Sequence, residues 1–70
     1  MGGYFKYVND MEIIRKKRLI TKSKLAEELG ISQPTLLAQY KRVRDGKDIQ
    51  QAYSTYHKIK NFVEKYEDLL

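Results

Sequence analysis

The three residues Gly30-Ile31-Ser32 constrain this chain more than any other feature, because a complete helix can be read on each side of them. Upstream, Thr21 caps a helix running from Lys22 to Leu29, and Ile20 and Leu25 occupy the two positions of a hydrophobic staple. Gly30 follows, the residue type that most readily takes the left-handed conformation ending a helix. Downstream, Ser32 caps a helix that runs to Arg44, with Ile31 and Leu36 as its staple. Pro34 falls in the first turn, where its missing N–H would have had no partner. Asp45-Gly46 stops this helix. Two helices joined by so short a glycine-containing link cross steeply. Ala26 is the small residue expected at the crossing, and Leu25, Leu29, Ile31 and Leu36 supply apolar surface around it.

Two more helices are expected. The first is capped by Asn9, with Glu12 completing a capping box and Val8 and Ile13 as the staple. It ends near Arg18, where Arg15, Lys16, Lys17 and Arg18 suit the negative end of a helix dipole. Ahead of it, the segment Gly2 to Tyr7 carries one charge, Lys6, so packing of Tyr4, Phe5 or Tyr7 is expected rather than a basic arm. The last helix is capped by Asp48, with Gln51 three residues on, and runs to Leu70. Along it, Ile49, Ala52, Tyr56, Ile59, Val63, Tyr66 and Leu70 alternate in steps of three and four. That spacing describes a dimerisation seam, and equally a helix lying on its own core. The expected fold is all-α: one domain over residues 1–70, a small bundle of four helices with a helix-turn-helix in a 9–44 core and a long C-terminal amphipathic helix over 48–70.

A chain of 70 residues supports only a thin core. With no cysteine, disulfides are excluded, and with one histidine, His57, no zinc site is expected. Helix packing or self-association must compensate. No apolar run approaches the roughly 20 residues that span a bilayer. The start, Met1 to Lys6, lacks a signal region and the hydroxyl residue that a myristoylation signal wants at position 6. A cytoplasmic location is therefore expected. No Ser-His-Asp set, glycine-rich phosphate loop or metal-ligand spacing is present, and the six tyrosines read as packing groups. The expectation is no enzyme, no cofactor and no small-molecule ligand.

The charge is uneven. Residues 9–44 hold nine Lys/Arg against four Asp/Glu, +5; residues 45–70 hold four Lys against five Asp/Glu, −1; Lys6 brings the total to +5. A basic patch on the first two-thirds of the chain is the footprint of a polyanion binder.

On these residues a family resemblance enters. The run Lys22-Ser23-Lys24-Leu25-Ala26-Glu27-Glu28-Leu29-Gly30-Ile31-Ser32-Gln33-Pro34-Thr35-Leu36 resembles the helix-turn-helix of phage repressors of the lambda repressor and Cro type and of related bacterial regulators. Leu-Ala, Leu-Gly-Ile-Ser and an aliphatic residue four after Ser32 carry the likeness, which spans roughly residues 9–44. It implies double-stranded DNA as the partner, a homodimer on two half-sites, and a role as a transcriptional regulator that occupies an operator. In this motif the second helix enters the major groove with its N-terminal residues on base edges.

Helical geometry then assigns positions. Leu36, Tyr40 and Val43 form the stripe expected to pack inward. Pro34, Leu37, Ala38, Lys41 and Arg42 face the other way, with Ser32 and Gln33 at the tip and Thr35 to one side. Gln33 can pair with adenine in two places, Leu37 and Ala38 can meet thymine methyls, and Lys41 and Arg42 suit phosphates. For Leu37, burial against the fourth helix is the competing reading. Lys22 and Ser23, at the start of the second helix, are further phosphate candidates. Two other functions fit the same residues: an excisionase-like accessory protein, against which the helical 48–70 segment counts, and a protein-interaction module that kept the fold.

Overall fold

A computed structural model describes residues 3–46 and 53–70. Among the described residues there are four helices, α1 (Gly3–Arg18), α2 (Lys22–Leu29), α3 (Gln33–Asp45) and α4 (Tyr53–Lys65), followed by a single tight turn of helix at Glu67–Leu69. There is no strand among the described residues. The protein is a small all-α bundle. Both α3 and α4 pack on α1 and on α2. One core joins Val8, Met11 and Ile14 of α1, Leu25, Ala26 and Leu29 of α2, Leu36 of α3, and Ile59, Phe62 and Val63 of α4.

The helix α1 begins six residues before the expected cap at Asn9. Asn9 and Glu12 therefore lie inside the helix and form no capping box, and Val8 is buried while Ile13 is exposed, so they form no staple. Tertiary packing overrides the local signal. The rings of Tyr4 and Tyr7 each lie 5.9 Å from that of Tyr56 on α4, and aromatic pairs at this spacing add to the gain from burial. A Lys6–Asp10 ion pair at 2.8 Å, one turn apart, supports the added turns.

Two left-handed residues end α1 and α2. Gly30 (φ 74°) ends α2, with its N–H on the Glu27 carbonyl and that of Ile31 on Ala26. The same hydrogen-bond pattern ends α1: Leu19 N–H to Lys16 C=O and Ile20 N–H to Arg15 C=O. There the left-handed residue is Leu19 (φ 58°), a leucine 90% exposed. A side chain in this region costs about 1–2 kcal/mol, and the exposed leucine recovers little by burial. Leu19→Gly is expected to stabilise the protein by about 1 kcal/mol, raising Tm by roughly 4–8 °C, whereas Leu19→Ala, which keeps the strain, leaves it nearly unchanged. Equal melting temperatures for the glycine and alanine variants would contradict the strain.

The helix α4 does not run to the chain end. It stops at Lys65, and Tyr66 turns the chain so that Leu69 packs on the core. Tyr66 is held between the Phe62 ring at 5.0 Å and the Arg18 guanidinium at 4.4 Å. The expected cap at Asp48, with Ile49, Gln51 and Ala52, lies outside the described residues.

Candidate nucleic-acid interface

The turn between α2 and α3 is fixed from both sides. Thr21 Oγ1 accepts the Lys24 N–H at 3.1 Å, and Ser32 Oγ accepts the Thr35 N–H at 3.3 Å while donating to Thr35 Oγ1 at 2.8 Å. For α2 and α3 the caps read from the sequence, Thr21 and Ser32, are the caps in the structure. From α4, Lys58 Nζ donates to the Gly30 carbonyl at 3.1 Å. These bonds hold the N-terminal tip of α3 in one direction relative to α2.

The buried side of α3 is centred on Leu36, Gln39 and half-buried Val43, with Tyr40 at its edge. Gln39, 3% exposed, is a polar residue that pattern reading left off the inward face. Its burial is compensated on both ends of the amide: the Tyr4 hydroxyl donates to Gln39 Oε1, and Gln39 Nε2 donates to the Thr35 carbonyl at 2.8 Å. Burial also pushes the Tyr4 hydroxyl up to about 12. Tyr4, from the first turn of α1, thus fixes the rotation of α3 about its own axis.

The outward face follows from that rotation. Gln33, Pro34, Leu37 and Lys41 are exposed together, as expected, with Leu37 at 42% rather than buried under α4. Thr35 and Ala38 are half-buried flanks, and the Ser32 hydroxyl is already engaged as the cap. Arg42 departs from the expected face. It is half-buried, its Nη1 is enclosed without a hydrogen-bond partner among the described residues, and its charge bears on Tyr4. Arg44 takes its place: its side chain is 72% exposed and only loosely tied to Asp45 at 3.4 Å. The helical angle was a sufficient signal, since eleven residues at 100° bring Arg44 to within about 20° of Gln33.

At the start of α2, Ser23 is exposed, while Lys22 is half-buried with Nζ 4.5 Å from the centre of the Tyr40 ring. Beneath that ring is a charged cluster. Arg15 Nε and Nη2 grip Glu12 at 2.7 and 2.6 Å, the Tyr40 hydroxyl donates to Glu12 Oε1 at 2.7 Å, and Arg15 Nη1 donates to the Ile20 carbonyl at 2.8 Å. The remaining members of the basic run also have internal partners: Lys16 lies 3.9 Å from Glu12, Lys17 donates to the Leu69 carbonyl, and Arg18 pairs with Glu28 at 2.8 Å. Arg18 ties α1 to α2 and Lys17 ties it to the C-terminal turn, Arg15 and Lys16 pair with Glu12 inside α1, and Lys41 has no ion pair among the described residues.

The Arg15 hydrogen bonds hold the Glu12 carboxyl down at about 2, against 4.5 for an ordinary glutamate. Because the folded pKa is the lower one, the stabilisation is complete above pH 4.5 and disappears as pH falls to 2. Discounted for the partly open side of the site, it amounts to about 1–2 kcal/mol. Glu12→Gln is expected to lower the urea midpoint at neutral pH and to flatten the acid limb between these two pH values. A variant that keeps the wild-type acid limb would remove Glu12 as its source.

The α4 stripe is also placed. Ile59 and Val63 are core residues of the single chain, Tyr56 packs on Tyr4 and Tyr7, and Tyr66 packs under Arg18; of the described stripe residues only Leu70 is exposed. Tyr56, Ile59, Val63 and Tyr66 of the expected seam thus pack within the single chain. His57 is half-buried and edge-on to Tyr56 at 5.6 Å. Among the described residues, no cluster of His, Cys, Asp or Glu is arranged to hold a metal, and no helix is long and apolar enough to cross a membrane.

No family model matches the chain, and no curated protein or solved structure matches it.

Proposed function

We propose that this protein binds double-stranded DNA through α3, with sequence preference, and acts in the cytoplasm as a transcriptional regulator by occupying an operator. The observation that carries the reading is the single exposed stripe Gln33, Pro34, Leu37, Lys41 and Arg44, which begins at the capped tip of α3 and ends in two cations available to phosphates. Gln33 reads a base edge, Leu37 meets a thymine methyl, and Lys41 and Arg44 hold the backbone on either side of the groove. Ser23 and Lys22, at the N-terminus of α2, add phosphate contacts. One stripe offers few base-reading groups, so two copies reading adjacent half-sites about one helical turn apart supply the specificity. Because Ile59 and Val63 are buried in the core of the single chain, the surface joining the two copies is proposed to lie elsewhere.

The test is selection of bound duplexes from a random pool, followed by titration of the winners at several salt concentrations. The expected result is an enriched sequence with two related half-sites and an affinity that falls steeply with salt. Recovery of no duplex even at low salt would overturn the reading.

A further inference from the structure

On the side of the bundle formed by α2 and α4 there is an open groove of about 250 Å³. No residue of α3 lines it. Its floor is apolar and aromatic, made by Leu29, Phe62 and Tyr66, and its rim along α4 presents Lys58, Asn61 and Lys65, all exposed. The one acid on the rim, Glu28, is neutralised by Arg18, whose Nη1 reaches both carboxylate oxygens at 2.8 and 2.9 Å. The groove therefore combines an apolar floor with two lysines, Lys58 and Lys65, that have no ion pair among the described residues; Lys58 Nζ donates to the Gly30 carbonyl and Lys65 Nζ lies 5.4 Å from the centre of the Tyr66 ring.

We infer that this groove docks an acidic segment of a partner protein that carries one apolar or aromatic side chain. The apolar group covers Phe62 and Leu29, and the acids meet Lys58 and Lys65, the arrangement of an apolar anchor within a charged rim. A small molecule would leave most of itself in water here, because the groove is shallower and smaller than sites that enclose ligands. The site is separate from the exposed stripe of α3, so it stands or falls independently of DNA binding.

The experiment is selection of peptides from a random displayed library on the immobilised full chain, then binding of the winning peptide to variants. The expected winners carry two or more Asp/Glu around an aliphatic or aromatic residue. Asn61→Glu with Lys65→Glu, which leaves the Lys58–Gly30 bond intact, is expected to weaken that peptide about tenfold or more, with helical content and duplex binding retained. Lys65→Ala, the milder change, moves affinity in the same direction. Winners without acids, or a double variant that binds as tightly as the wild type, would overturn the inference. So would sedimentation showing a wild-type dimer that the double variant converts to monomer, because the groove's occupant would then be a second copy of the chain.

Discussion

Ile59→Ala is expected to leave the chain mostly unfolded at room temperature. Ile59 is 0% exposed, in the cluster where α4 closes over Val8, Met11 and Ile14. Removing its side chain forfeits the transfer energy of the deleted carbons and leaves a cavity, about 2–5 kcal/mol together. A cysteine-free core of this size rarely supplies more than about 3–5 kcal/mol in total. The loss is therefore comparable with the whole stability. Circular dichroism at increasing urea should show a transition beginning at or near zero denaturant. The result also distinguishes the two roles that the α4 spacing allows. At a dimer seam, truncation would give a folded monomer; in the core of one chain, it removes the fold. A folded Ile59→Ala monomer with an unchanged urea midpoint would return α4 to the seam role.

The second large effect concerns α3. Replacing Lys41 and Arg44 together with alanine is expected to weaken duplex binding about 10- to 100-fold at physiological salt. The slope of log affinity against log salt should fall by about 2, one for each phosphate no longer neutralised. Both side chains are exposed, so melting temperature should be nearly unchanged. Gln33→Ala has a different signature: it relaxes preference at one base position by about 1–3 kcal/mol and leaves the salt slope alone. Arg42→Ala is the informative control. With Arg42 half-buried beside Tyr4, its removal should alter stability more than affinity. If instead Arg42→Ala abolished binding and the Lys41/Arg44 pair had no effect, the outward face would be assigned wrongly.

Much of the α2–turn–α3 unit was legible because its signals are local. A cap acts within three residues and a left-handed glycine within one turn, so Thr21, Gly30, Ser32 and Gly46 could be placed from their neighbours alone. Where the sequence reading erred, a distant residue decided the outcome. The true start of α1 depends on Tyr56, about fifty positions away, and the absence of Arg42 from the outward face depends on Tyr4 and Gln39. Local patterning left Gln39 out of the inward stripe, because a glutamine reads as polar until its hydrogen-bond partners are known.

Composition and local pattern determined that this chain is all-helical, that two of its helices meet across Gly30-Ile31-Ser32, and that a basic segment surrounds them. Only the tertiary structure decided the rest: which basic residues are engaged internally, which face of α3 is turned outward, and that α4 closes its own core. The physical reason is that helix caps and turns depend on backbone groups a few residues apart, whereas charge pairing and burial depend on neighbours brought together by folding. The cations from Arg15 to Arg18 and those at Lys41 and Arg44 look alike in sequence; Glu12, Glu28 and the Leu69 carbonyl make them different.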